Sequence, residues 1–265
     1  RPEIIHHVIA MVIDPNAPAD LQSDPTRTNL EQMRMLDDES PDRDGWPCYG
    51  MAGDGMSVEF NAVVWAPGQG IVNFPDHSGV PLPSGHKLVV QVHYNLSDPQ
   101  NIGKDDQTRV RLHLEPHVEN VGLTALPDPF LQSLDDAMPK TLPPGQPSTV
   151  FSWTRSGAEL GLSAAAEVQL FGVMPHMHQL GRKYRMTVAD PGEAPACAVD
   201  VQSWDFHWQR MYFYQQPRTL RSDSSLSVSC DYDTSSVTEP VLPGWGTRNE
   251  MCLATLYLTV PFPKP

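Results

Sequence analysis

Two histidines stand two residues apart in MPHMHQLGR, at His176 and His178, with Met177 between them. In a β-strand alternate side chains share a face, so a His-x-His pair can direct two imidazoles at one metal ion. Strands whose histidines bind nothing carry the same spacing, and the pair alone leaves both readings open. Further along, GWGTRNEMC offers Met251. A thioether beside two imidazoles makes a soft donor set, which suits copper cycling between Cu(I) and Cu(II) better than zinc, calcium or magnesium. Taken by itself, Met251 reads more readily as a packed core residue.

A second set lies in the first half of the chain. His6 and His7 are adjacent in EIIHHVIAMVID, and His93 sits in HKLVVQVHYNL, both strongly apolar stretches. Burying an imidazole is costly unless its nitrogens are satisfied, and three of them in core strands are hard to explain as ordinary core residues. Adjacent strand residues point to opposite faces, so one ion shared by His6 and His7 requires a twist, a bulge or different ring nitrogens. Gln91 shares a face with His93 and is placed to orient that ring, although an ordinary polar contact explains it as well. His113 and His117 read as solvated strand ends; His77, His86 and His207 read as structural or exposed.

The elements that would position these residues are mostly strands. The 265 residues suffice for two medium domains or one large β-structure. Twenty-seven prolines argue for many turns and against long helices. Strands are expected at EIIHHVIAMVID, VEFNAVVWAP, HKLVVQVHYNL, AEVQLFGVM, KYRMTVA, SLSVSCDYD and EMCLATLYLTV. In TRVRLHLEP the alternation predicts a strand with Val110, Leu112 and Leu114 inward. A short helix is expected around 26–38, with Leu30, Met33 and Leu36 on one face. The aromatic run WDFHWQRMYFY (204–214) reads as a strand packing the second domain, with a cleft wall as the competing role. Between 116 and 147 the pattern loosens, which puts a domain boundary near 120.

Composition excludes several function classes. The net charge of −14 repels phosphate backbones, and no basic run with interleaved aromatics occurs, so nucleic acid is not an expected partner. No apolar run approaches the ~20 residues that span a bilayer, and no membrane span is expected. There is no glycine-rich phosphate loop, no alternation of strands with helices and no fixed-period repeat. The four cysteines (48, 197, 230 and 252) show no CxxC pattern, and their even number permits disulfides. Asn95-Leu96-Ser97 matches a glycosylation sequon, a pattern frequent by chance.

Seven stretches, in order, resemble the copper type II, ascorbate-dependent monooxygenases, the family of peptidylglycine alpha-hydroxylating and dopamine beta-monooxygenases. They are HHVIAMV, FNAVVWAPGQG, LVVQVHYN, LPPG, MPHMHQLGRK, SVSCDYD and GWGTRNEMC. Each alone is weak; the ordered set covers nearly the whole chain. The resemblance implies an all-β fold of two antiparallel β-sandwich (jelly-roll-like) domains, residues 1–120 and 121–265, each with a copper site facing an interdomain cleft. One copper, for electron transfer, would take His6, His7 and His93. The other, where O2 and substrate meet, would take His176, His178 and Met251. Cys230 and Cys252 match a disulfide of the family and imply an oxidising compartment, secreted or periplasmic. A second bridge of the catalytic domain is absent around Ser152, and Cys197 is an extra. Cys48 in GWPCYG is similar to a cysteine of bacterial members, whose partner lies upstream. Family members carry several dozen residues before the His–His strand and here five precede His6, so a trimmed or late start is expected.

The implied reaction is hydroxylation of a C–H bond by O2, with ascorbate or another electron donor as reductant and two copper ions per chain. In the peptide-amidating branch an Arg two residues before the first His, and an Asn and a Tyr two and four residues beyond the methionine, hold the substrate's carboxylate. Here these positions are Met174, Leu253 and Thr255. Without guanidinium and phenol the carboxylate loses its donors. A glycine-extended peptide is therefore not the expected substrate, and a small hydrophobic molecule, aromatic or aliphatic, is. The competing reading is a copper-binding or copper-storage protein of the same fold without turnover.

Overall fold

The computed structural model describes residues 4–21, 24–48, 54–66, 69–94, 96, 99–246 and 248–261. Asn95 and Ser97 of the sequon lie outside them. The fold is built on strands with few helices. In chain order the first elements are β1 (Ile5–Ile13), α1 (Asn29–Asp38), β2 (Phe60–Trp65), β3 (Ser78–Gly79) and β4 (Lys87–Tyr94). β5 (Asn120–Ala125), α2 (Pro129–Gln132), β6 (Thr149–Ser156), β7 (Glu167–His176) and β8 (Gly181–Ala189) follow. β9 (Ala196–Val201), β10 (Tyr212–Arg221), β11 (Ser225–Tyr232) and β12 (Leu253–Pro261) complete the series. Two compact units divide the chain: Arg1–Pro67 with Ile71–Asn73 and Gly79–His117, and Gly68–Gly70 with Phe74–Ser78 and Val118–Pro265.

In the first unit β1 is the central strand of the antiparallel sheet β2-β1-β4. Its continuous apolar sequence suits a strand covered on both faces. Ile5 and Val8 pack with Trp65 and Val92, while Met11 and Ile13 pack with Met56, Met33 and Val89. Helix α1 starts at a capping box: Glu31 Oε2 accepts from the Thr28 amide at 2.8 Å, and Thr28 Oγ1 accepts from the Glu31 amide at 3.3 Å. The helix docks through polar groups as well as Met33. Buried Asn29 donates to the Asp14 carbonyl at 2.8 Å, and buried Gln32 to the Asp54 carbonyl at 2.8 Å.

One strand expected from alternation is absent. Residues 108–116 form none, and Leu114 is 66% exposed. A single alternating segment gains no ladder hydrogen bonds without a neighbour, and β4 pairs with β1 alone among the described strands.

The second unit holds two sheets, in the orders β10-β7-β12-β5-β3 and β6-β11-β8-β9. One apolar core contains inward residues of both. β12 contributes Ala254, Leu256 and Leu258, and β11 contributes Leu226, Val228, Cys230 and Tyr232 at strict two-residue spacing. The odd positions of β12 therefore face away from this core. A disulfide joins Cys230 on β11 to Cys252 just before β12, and the Trp153 indole on β6 donates to the Cys252 carbonyl at 3.1 Å. The aromatic run becomes a strand only from Tyr212; residues 204–211 form turns and loop.

Candidate metal centres

In the first unit, His7 on β1 pairs directly with His93 on β4. The register shifts between Ile5, opposite Tyr94, and His7, opposite His93, so His6 is an extra residue on β1. This bulge lets two adjacent side chains converge where a regular strand would separate them. One ring nitrogen from each of the three histidines lies within 4.8 Å of the others. His6 Nδ1 is 2.9 Å from His7 Nδ1, and the ring centroids are 4.6–5.0 Å apart. Desolvation lowers the pKa of His93 below the ordinary imidazole value, which favours the neutral, ligating form. Gln91, 6% exposed, sets its amide Nε2 at 3.2 Å from the Cys48 sulfur. Three imidazoles with convergent nitrogens are a donor set for copper or zinc.

In the second unit, His176 ends β7, and His178 follows it outside the strand. β12 runs antiparallel to β7 with Leu253 opposite His176. This register brings the residues before Leu253, Met251 among them, alongside the turn that carries His178. The two rings are perpendicular, with centroids 5.1 Å apart. Each is fixed through Nδ1. His178 Nδ1 lies 2.8 Å from the Asn249 carbonyl oxygen, which only accepts, so the proton sits on Nδ1. His176 Nδ1 contacts Gln209 Oε1. The Gln209 amide nitrogen donates to the Phe206 carbonyl at 2.8 Å, which settles which end of the side chain faces the ring. In both rings Nε2 is then the unprotonated nitrogen, the form that ligates a metal.

The rest of the centre is held as firmly. Met251 is 1% exposed, and its carbonyl accepts from the Tyr232 hydroxyl at 2.6 Å. The Trp204 indole donates to the His178 carbonyl at 3.2 Å. Glu250 is fully buried and accepts from the amides of His178 at 2.8 Å and Leu180 at 2.7 Å. Burial pushes its carboxyl up to about 7, against the opposing pull of the backbone N–H groups. Two imidazoles anchored at Nδ1 and a methionine one residue from the segment that holds them fit copper by donor chemistry.

Three other histidines lie beside carboxylates instead. His113 is largely exposed and meets Glu115 at 3.2 Å; His86 pairs with Glu59 at 2.8 Å; His207 sits by Asp205 at 3.3 Å on the surface. Cys48 and Cys197 are free thiols. Sequence reasoning missed Gln209, Asn249 and Glu250. For Glu250 a signal existed, an acidic residue set directly against the apolar strand that follows Met251.

The family profile described as "Copper type II ascorbate-dependent monooxygenase, C-terminal domain" matches residues 138–260. The chain is also similar to DBH-like monooxygenase protein 1 of Gallus gallus, 26% identical over 230 residues. That match covers 80% of this chain and 35% of the relative. Dopamine beta-hydroxylase of Rattus norvegicus is 26% identical over 202 residues, 71% of this chain and 30% of the relative. Tyramine beta-hydroxylase of Caenorhabditis briggsae is 23% identical over 204 residues, 73% and 33%. The chain spans about a third of the length of these relatives. Residues 138–260 thus match the C-terminal domain of the copper type II, ascorbate-dependent monooxygenase family, and relatives named as monooxygenases and hydroxylases cover most of the sequence.

Proposed function

We propose that the chain is a two-copper monooxygenase that hydroxylates a C–H bond of a small hydrophobic substrate. The overall change is R–H + O2 + 2 e⁻ + 2 H⁺ → R–OH + H2O, with ascorbate or another one-electron donor supplying the electrons. When bound, copper supplies the one-electron chemistry that lets O2 react with an unactivated C–H bond. His6, His7 and His93, in residues 1–120, are assigned the electron-transfer ion. His176, His178 and Met251, in residues 121–265, are assigned the ion at which O2 and substrate meet. Each half is read as a β-sandwich domain. The Cys230–Cys252 bridge supports an oxidising, secreted or periplasmic location. Among the described residues no helix is long and apolar enough to cross a membrane.

The observation that carries the reading is the pair of Nδ1-anchored imidazoles beside the methionine segment. Gln209 and the Asn249 carbonyl hold protons on the Nδ1 atoms, so both rings offer Nε2 to one ion. A thioether completes a set that retains Cu(I).

The substrate reading rests on the register of β7 and β12. Leu253 pairs with His176 and Thr255 with Met174, so these three replacement residues share the sheet face of His176. Met174 and Leu253 are each 7% exposed and Thr255 1%. At these three positions the face offers neither the cation nor the phenol that would capture a carboxylate. An aromatic substrate agrees with two relatives, which are named for dopamine and tyramine.

The test is turnover. Copper-loaded protein should consume O2 with ascorbate and transfer one 18O atom from 18O2 into an aromatic or aliphatic substrate from a neutral panel. Copper bound in full, with O2 uptake uncoupled from any hydroxylated product across the panel, would favour a copper-binding or copper-storage protein.

A further inference from the structure

We propose that Glu250 is a positioning residue that sets the Met251 thioether and the His178 imidazole on one copper ion; this rests on the reading of that centre given above. Its carboxylate is fully buried. One oxygen accepts from the His178 amide at 2.8 Å and the other from the Leu180 amide at 2.7 Å. The Met251 amide adds a third bond. A single side chain thereby bridges the turn after β7, which carries His178, to the segment entering β12, which carries Met251.

The preceding residue completes the clasp, because the Asn249 carbonyl holds His178 Nδ1 at 2.8 Å. His178 is thus gripped at its backbone and at its ring by two consecutive residues, and the next residue in the chain is Met251. The Glu250 main chain is itself pinned. Its amide donates to the Leu242 carbonyl at 3.1 Å, and its carbonyl accepts from the Gly244 amide at 3.1 Å.

A buried carboxylate is a costly way to satisfy amides that a water could serve. Among the described residues no cation forms an ion pair with it, and Arg182 acts only at a distance. What a carboxylate offers is two acceptor oxygens and no donor, so it can receive N–H groups from several directions at once. A glutamine of equal size would turn a donor toward one of those N–H groups. Glu250→Gln therefore breaks the clasp while keeping its volume.

The experiment titrates the metal-free chain with Cu(I) against a chromophoric chelator, for the parent, Glu250→Gln, Met251→Ile and the double variant. X-ray absorption reads the copper–sulfur contribution. Glu250→Gln should weaken one of the two copper equivalents about 10- to 100-fold. The other equivalent should not change, and the sulfur contribution should fall. In the double variant Glu250→Gln should cost less than it does alone, because the thioether it positions has gone. Parental affinities and sulfur signal in Glu250→Gln, whatever its melting temperature, would overturn the proposal, as would full additivity with Met251→Ile. Should the glutamine variant not fold, Glu250→Asp, which shortens the arm but keeps both acceptors, is held to the same outcomes. A parent protein that binds no copper at this centre would instead defeat the underlying reading, before any variant is made.

Discussion

Gln209 provides the sharpest test of how the second centre is set. Its carbonyl oxygen faces His176 Nδ1, its amide is tied to the Phe206 carbonyl at 2.8 Å, and the residue is 6% exposed. Gln209→Leu keeps much of the volume but removes the acceptor. The ring must then either bury an unsatisfied N–H, at about 1–3 kcal/mol, or move its proton to Nε2 and lose the atom that ligates. Loss of a hydrogen-bond partner of this kind lowers metal affinity about 10- to 100-fold, which is about 1.4–2.7 kcal/mol. Gln209→Glu retains an acceptor toward the ring but loses the donor to the Phe206 carbonyl, and should lose less affinity than Gln209→Leu. Chelator-competition titration measures both variants, with the histidine trio of the first unit as internal control. Parental copper affinity in Gln209→Leu would refute the argument that Nδ1 anchoring commits Nε2 to the metal.

Three further outcomes follow from the same geometry. Replacing Cys230 and Cys252 together by Ala should lower stability by ~3 kcal/mol, the loop-closure estimate for a sequence separation of 22; a change below ~1 kcal/mol in urea unfolding would contradict it. Burial raises the Asp128 carboxyl to about 6, although the amides of Leu131, Cys252 and Phe130 pull it down. The native protein then keeps a proton that the unfolded chain releases near 3.8. The associated stability is present below that value and is lost as pH rises through about 6, with a ceiling of about 3 kcal/mol. In metal-free protein Asp128→Asn should flatten this slope, and denaturation midpoints across that window that match the parent's would count against it. A glycine-extended peptide should be neither hydroxylated nor bound; saturable micromolar binding by calorimetry would contradict the apolar reading of Met174, Leu253 and Thr255.

Strands with a strong pattern were readable from sequence, and those whose pattern depends on neighbours were not. Apart from its two histidines β1 is apolar because both its faces are covered, and β11 alternates because one face meets a core. β10 gives no such signal: its register slips between Phe213 and Arg218, and most of its residues are exposed or half-buried. TRVRLHLEP has the alternation and no partner, so period alone misleads there. At the sites the ligand candidates were legible as residue types, but their convergence was not. Nothing in HHV announces that His6 is the bulged residue, since the bulge exists only in the pairing with β4. Asn249 acts through its carbonyl, which every residue possesses, so no sequence reading could single it out. Gln209 and Glu250 lie 33 and 72 residues from the histidines they hold, a relation only the fold supplies.

The two-copper reading is tested most directly by a copper titration of the metal-free protein, run beside His93→Ala and Met251→Ile. It predicts two equivalents per chain, one weakened by His93→Ala alone and the other by Met251→Ile alone. A single equivalent, or two that respond to neither substitution, would contradict it.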